Sequence, residues 1–407
     1  MNKKFIVMAA FAAMFSISFT SCSNNDDDLA GAGSAQFEAK TPITLAGYLN
    51  NIPGPRATTR GYAAAATDVQ ADGMSVWAFD ATKETALTTA ADFFMGGPAA
   101  GLAHTWDGTN NWYKAAADYF WPEYALNFVA LTPQTGGGIG TIGISQAAAA
   151  TPGSPSKPVM TVAIDVPLTT ESNGTYGSDT QKDIMIASIE DQAPLTTGSA
   201  ALTFKHALSQ IVFKGGVDGQ STIHKAVVKS IKLVNIASDG TITYTAASDA
   251  FAASAWGDKD KTYAANIVTT DVTAKIGNVD PADDETPNAI TGQDDNADGR
   301  DYQMMIMPQA SVHCEGVGTQ GVNVSQKDAP TAGTYLLVNA DLYANGDNVN
   351  KVISNATNVY IPLEDTTWEP GYKYTYLLKF GDNLLHPITF TATVAAWTDA
   401  SNKDVEF

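Results

Sequence analysis

The sequence predicts an all-β protein built from β-sandwiches, and three observations predict it. Short apolar runs of strand length recur along the chain. Gly, Pro, Asn and Asp separate them, and no segment of about a dozen residues carries a 3.6-residue apolar period with helix caps. The first run, Gln36–Leu45, shows the pattern in detail. Phe37, Ala39, Thr41, Ile43 and Leu45 take the odd positions, while Glu38, Lys40 and Thr44 take even ones. Successive side chains of a strand face opposite sides, so this period of two describes a strand with one buried face. Pro42 has no amide to donate, which places the strand at a sheet edge or in loose pairing. Further strands are expected at Met74–Phe79, Leu126–Leu131, Ile184–Ala187, Leu202–Val212, Ile231–Ile236, Tyr302–Met307, Tyr335–Val338, Val359–Leu363, Tyr372–Phe380 and Ile388–Trp397. Two low-complexity stretches, Gln134–Lys157 and the acidic Asp280–Asp301, read as surface loops. A turn-rich Pro194–Ser199 before a fresh strand sets the expected domain boundary, giving domains 36–198 and 199–407.

Composition narrows the function classes. The 407 residues carry 43 Asp and Glu against 23 Lys and Arg, a net charge of −20. That field repels phosphates, so nucleic acid and anionic membrane surfaces are not expected partners. Hydrophobic residues make up 44%, with 7 Trp, 15 Tyr and 16 Phe, enough apolar surface to exclude a disordered chain. Two cysteines cannot form a disulfide framework.

The amino terminus reads as a targeting segment. Lys3 and Lys4 precede an apolar run, Phe5–Phe19, too short to cross a bilayer as a helix. It ends at Phe19-Thr20-Ser21-Cys22, which resembles a bacterial lipobox with Phe19 where Leu is usual. The resemblance makes residues 1–21 a signal peptide and Cys22 the lipidated first residue of the mature chain. Residues 22–35 then form a tether. Its Ser23-Asn24-Asn25-Asp26-Asp27-Asp28 resembles the acidic stretch that sends Bacteroidetes lipoproteins to the cell surface.

Six motifs in order resemble the fimbrillins of Bacteroidetes pili. They are Tyr119-Phe120-Trp121-Pro122 with Leu126–Ala130, Asp183-Ile184-Met185-Ile186-Ala187, the strand Phe204–Phe213, Met307-Pro308-Gln309, Trp368-Glu369-Pro370-Gly371-Tyr372-Lys373-Tyr374, and the closing strand Ile388–Trp397. Together the resemblance covers Cys22 to Trp397. It implies two transthyretin-like β-sandwich domains in tandem and the role of a pilus subunit. It also implies an assembly route: a lipoprotein precursor exported to the outer surface, removal of the first strand by a trypsin-like, Arg-specific protease, and donor-strand exchange between subunits.

The residues themselves support that route. Only three arginines occur, and two lie in Pro53-Gly54-Pro55-Arg56-Ala57-Thr58-Thr59-Arg60-Gly61, directly after the first strand. Pro and Gly make an irregular segment of the kind proteases cut. Arg60 fits the family spacing better, with Arg56 as the alternative, so residues 36–60 form the removable strand and cleavage segment. A lost strand leaves an unpaired edge that recruits another. Five inward side chains offer a replacement strand on the order of 5–10 kcal/mol before ordering costs. Ile388, Phe390, Ala392 and Val394 alternate like Phe37, Ala39, Thr41 and Ile43, making the C-terminal strand the candidate donor. The same alternation also suits the last strand of the second domain, and the tail after Trp397 is a further candidate.

Catalytic constellations are sparse, and the expectation is a protein that is not an enzyme and needs no cofactor. No His pair has metal-ligand spacing, and Cys314 has no nucleophile motif around it. His206 reads as a satisfied structural histidine. Asp294, Asn296 and Asp298 fit the first half of a calcium loop, but position twelve is Met305 rather than Glu, and a solvated acidic loop is the simpler reading. The leading reading is an adhesive fimbrial subunit whose partners are other pilins, a protease and ligands on host or bacterial surfaces. Its alternatives are an accessory tip or anchor pilin, or a surface lipoprotein that binds glycans through aromatics among Trp106, Trp112 and Tyr113.

Overall fold

The computed structural model describes residues 41–49, 72–108, 112–134, 138–166, 181–219, 224–254, 256–264, 271–276, 287–290, 304–315, 328–343, 351–353, 359–363, 366–381, 389–396 and 402–404. Nearly every element among them is a strand. The chain lays down β1 (Leu45–Leu49), β2 (Met74–Asp80), β3 (Leu102–Asp107), β4 (Trp112–Ala115) and β5 (Leu126–Thr132). It leaves for β6 (Ile139–Ser145) and β7 (Val159–Asp165), then returns with β8 (Met185–Gln192) and β9 (Ala200–His206). Strands β1, β4, β3, β2, β5, β8 and β9 pair in that order, and β9 pairs back onto β1, so the sheet closes into a barrel.

The middle of this barrel is buried on both faces. Val76, Ala78, Phe128, Ala130, Met185 and Ala187 join the barrel core, together with Ile43, Leu45, Tyr113 and Trp121. Their neighbours Trp77, Phe79, Val129, Leu131 and Ile186 belong to a second and larger core. Period-two alternation therefore divides one strand between two cores, which is why β2 and β5 read as unbroken apolar runs.

After β9 come β10 (Ser209–Asp218), β11 (Lys225–Ile236), β12 (Asp239–Thr245) and β13 (Ala250–Ser254). Short strands follow: β14 (Lys261–Ala264), β15 (Asp271–Val272), β16 (Lys275–Ile276), β17 (Asn288–Ala289) and β18 (Met304–Ile306). The chain ends with β19 (Tyr335–Tyr343), β20 (Lys351–Ile353), β21 (Val359–Pro362), β22 (Tyr372–Phe380), β23 (Thr389–Ala396) and β24 (Asn402–Asp404). One sheet runs β16-β10-β22-β23-β24, with β17 and β18 also on β10. Another runs β14-β11-β19-β20, with β15 on β11 and β21 on β19. A four-stranded sheet, β13-β12-β7-β6, takes two strands from either side of residue 198. The expected boundary lies in the turn between β8 and β9, and β9 hydrogen-bonds into the barrel.

Two elements differ from expectation. The stretch expected as a surface loop, Gln134–Lys157, contains β6, whose Ile144 is buried in the larger core beside β7. Its apolar residues are diluted by Gly, which conceals the strand in composition. The expected strand Leu202–Val212 is two strands, because Ala207 and Leu208 carry the chain from the barrel into the next sheet. There Ala207 N donates to Ile184 O at 2.8 Å, and Gly371 N donates to Leu208 O at 2.8 Å. Of the expected first strand, Gln36–Lys40 lie outside the described residues, Pro42 forms a bridge with Phe120, and the ladder of β1 starts at Leu45 and runs on to Leu49.

The turn before β22 ties these parts together. Gly371 adopts φ +75°, in the left-handed region that glycine tolerates. Tyr374 reaches back across the turn: its hydroxyl accepts from Glu369 N at 2.8 Å and donates to Thr367 O at 3.0 Å, and burial pushes its pKa up to about 12. Buried Trp368 donates from Nε1 to Tyr376 OH at 2.9 Å, and its own N–H donates to Gln309 O at 2.8 Å. Gln309 in turn satisfies both backbone groups of Ala237, at 2.9 Å each. Gln309→Met keeps the bulk but strands those two buried groups. It should lower the unfolding free energy by about 2–4 kcal/mol, seen as an earlier urea midpoint; an unchanged midpoint would mean that water satisfies Ala237 instead.

Candidate functional site

The first strand lies in a slot whose walls come from distant parts of the chain. On one side Ile43 N donates to Tyr119 O at 2.6 Å, and Trp121 N donates to Thr41 O at 3.1 Å. These bonds flank the bridge between Pro42 and Phe120, so Pro42 occupies a position from which no amide is demanded. On the other side Ala200 N donates to Thr44 O at 3.0 Å. From there β1 runs parallel to β9, with Leu45 opposite Ala200 and Leu49 opposite Phe204, and Leu45 also pairs with Tyr113 of β4.

Side chains complete the fit. Ile43 and Leu45 are 4% and 0% exposed, packed with Tyr113, Trp121, Leu202 and Phe204 in the barrel core. Trp121 meets Phe128 edge to face, ring centroids 5.8 Å apart. Burying Ile43 and Leu45 is worth about 1.5–3 kcal/mol each. Between them Thr44, 7% exposed, turns the other way. Its hydroxyl donates to Gly198 O at 3.2 Å and lies 2.8 Å from the Ser199 hydroxyl, which is left to donate to it. A cavity of about 120 Å³ runs beside this strand, lined by Ile43, Thr44, Met95, His104, Trp112 and Tyr119 among others.

Of the expected first-strand positions, Ile43 and Leu45 are buried and Thr41 is half-buried; Phe37 and Ala39 lie outside the described residues. So do Cys22, Arg56, Arg60, Ile388 and the Asp294, Asn296 and Asp298 set. Phe390, Ala392 and Val394 lie in β23, opposite Leu378, Tyr376 and Tyr374 of β22, while β24 pairs along the far edge of β23. Among the glycan-binding candidates, Tyr113 is corrected: it is 1% exposed inside the barrel, where burial raises its pKa. Trp106 packs on it with centroids 5.0 Å apart, and Trp106 and Trp112 are half-buried. His206 Nδ1 lies 2.6 Å from Asp183 Oδ2, and buried Cys314 donates to Thr334 O at 3.0 Å. Among the described residues no three His, Cys, Asp or Glu side chains are grouped to hold a metal ion. Sequence reasoning missed the contact of Thr44 with Ser199, which are 155 residues apart, and the place of Tyr113 under the first strand.

The structure of a fimbrial protein from Bacteroides vulgatus aligns over 88% of this chain and 99% of its own, with a TM-score of 0.54 at 18% identity, which establishes a shared fold. Two proteins with a proposed role in cell adhesion align less closely. The one from Bacteroides ovatus covers 91% of this chain and 100% of its own (TM-score 0.44, 13% identity), and that from Bacteroides uniformis 88% and 99% (TM-score 0.43, 12% identity). A family model described as fimbrillin-like matches residues 56–397, and the chain belongs to that family. It is thus a pilus-type subunit, of the kind that makes up cell-surface fimbriae. No curated protein matches the sequence.

Beside the slot, His104 is 1% exposed and its Nδ1 lies 3.0 Å from Leu102 O. Burial lowers its pKa from the usual 6.5, so the folded protein holds it neutral. The unfolded chain takes up a proton as pH falls through about 6.5, so His104 contributes stability above that pH and loses it below. Denaturation at about pH 7 and about pH 5 should show a smaller acid loss for His104→Gln than for the native chain; equal losses would assign the acid sensitivity to other groups.

Proposed function

We propose that the protein is a non-enzymatic subunit of an adhesive surface pilus, needing no cofactor. It is exported to the cell surface as an outer-membrane lipoprotein anchored through Cys22. An Arg-specific, trypsin-like protease cuts after Arg60, or alternatively Arg56, and the first strand leaves. Subunits then polymerise by donor-strand exchange, the donor being the C-terminal segment that includes Ile388, Phe390, Ala392 and Val394. Its partners are neighbouring pilins and ligands on host or bacterial surfaces.

The observation that carries the reading is the seating of Thr41–Leu49. Its Ile43, Thr44 and Leu45 are buried and it is hydrogen-bonded on both sides, with both candidate arginines between it and β2. Cutting that connection leaves non-covalent contacts alone to retain the strand. Its departure strips β9 of a parallel ladder and opens the barrel core, an edge and a groove that favour a replacement strand.

Digesting the chain from Ser23 to Phe407 with an Arg-specific protease should cut at Arg60 or Arg56 and spare Arg300. Intact mass should fall accordingly, and native gels should show a ladder of oligomers. A cut chain that stays monomeric would favour an accessory pilin, and a chain that resists cutting would favour the glycan-binding lipoprotein.

A further inference from the structure

The slot imposes a sequence requirement that can be read position by position. Opposite Phe120 the strand needs no N–H, and Pro42 stands there. The next residue must give an N–H to Tyr119 O and an apolar side chain to the barrel core, as Ile43 does. The third must present a carbonyl to Ala200 N and a small hydroxyl to Gly198 O and the Ser199 hydroxyl, as Thr44 does. A large apolar residue comes fourth, in the place of the fully buried Leu45.

Of the 18 prolines in the chain, only Pro42 and Pro387 are followed by Ile-Thr. The second occurrence, Pro387-Ile388-Thr389-Phe390, meets all four requirements in the same order as Pro42-Ile43-Thr44-Leu45. It also coincides with the start of the candidate donor strand. Alternation alone leaves the register of such a strand open to two-residue slips, because Ile388, Phe390, Ala392 and Val394 offer four apolar positions of one parity. A hydroxyl at one fixed place excludes one-residue slips, and its neighbours exclude the rest: Thr391 and Thr393 share the parity of Thr389, but only Thr389 stands between two large apolar residues, whereas either slip puts Ala392 in the place of Leu45 or Ile43.

We propose that Ser199 and Gly198 form a polar register pin, and that Thr389 of a second copy of this chain is the residue it reads. Pro387, Ile388, Thr389 and Phe390 of the incoming copy then take the positions of Pro42, Ile43, Thr44 and Leu45. The inference rests on the strand-exchange reading above and fixes which residues of the donor meet which residues of the acceptor.

Disulfide trapping tests the register in the chain from Ser23 to Phe407, where Cys314 is the remaining native thiol and is buried. Ser199→Cys acceptor, cut with the Arg-specific protease, is mixed under mild oxidation with Thr389→Cys donor. A covalent dimer should form, and uncut acceptor should give none, because Thr44 still fills the site. Thr391→Cys lies about 7 Å further along a strand, beyond the reach of a disulfide to the same partner, and should stay unlinked. In a second readout, Thr389→Val keeps the side-chain bulk and should slow ladder formation about five- to tenfold. Oligomers that crosslink through Thr391→Cys, Thr393→Cys or Ser401→Cys instead would overturn the register while leaving strand exchange intact. Absence of any ladder from the cut native chain would overturn strand exchange itself, and this inference with it.

Discussion

Closure of the barrel by β1 is the constraint on which the other parts depend. Strand β9 is shared along its length: Ala200–Phe204 pair with β1, and Lys205 and His206 pair with β8. Without β1, most of β9 would lack a ladder partner among the described pairings, and the barrel core would open along Ile43 and Leu45. Two residues beyond β9 the chain enters β10, which pairs with β22 over eight positions from Gln210↔Lys373 to Val217↔Phe380. One strand at the amino-terminal end therefore supports the element that leads into the C-terminal sheet. The crossing itself is held firmly, by the hydrogen bond of Ala207 to Ile184, that of Gly371 to Leu208, and the pair His206–Asp183. Loss of β1 would then be felt first in the barrel, where most of β9 loses its ladder partner, rather than at the crossing.

The elements legible in the sequence were those whose apolar pattern and punctuation agree. Tyr372–Phe380 is a strand over the full expected span, because Gly371 ends the turn before it and Tyr374, Tyr376, Leu378 and Phe380 alternate to the core. The burial of Ile43 and Leu45 was legible for the same reason. Less visible was β6, where glycines between Ile139, Ile142 and Ile144 lower the apolar density that marks a strand. A single run at Leu202–Val212 gave no sign that the chain changes sheets at Ala207, since that step is fixed by partners at Ile184 and Gly371, remote in sequence. The slot around Thr44 was illegible for a related reason: a Thr in a strand has no local signal for a Ser that lies 155 residues away. Tyr113 misled because an aromatic between Trp112 and Lys114 reads like a surface platform until the barrel closes over it.

The same geometry bears on when assembly would begin under the strand-exchange reading. Strand β23 is paired with β22 over eight positions in the intact chain, and β24 covers its other edge. Leaving home costs it an antiparallel ladder longer than the five-residue parallel one that β1 makes with β9. An intact subunit gives it no reason to leave, because the slot is already filled by a strand of matching sequence on the same polypeptide, at a high effective concentration. Cutting the connection after Arg60 does not touch β23. It acts on the other side of the exchange, by turning the resident strand into a separable ligand that is diluted once it dissociates. The control then lies with the acceptor, while the donor stays packed until a vacant slot of a second copy competes for it. Under this reading a mature chain that has lost its first strand, and not the anchored precursor, is the species that assembles. The similarity between Pro42–Leu45 and Pro387–Phe390 would let one groove serve both the resting and the assembled state.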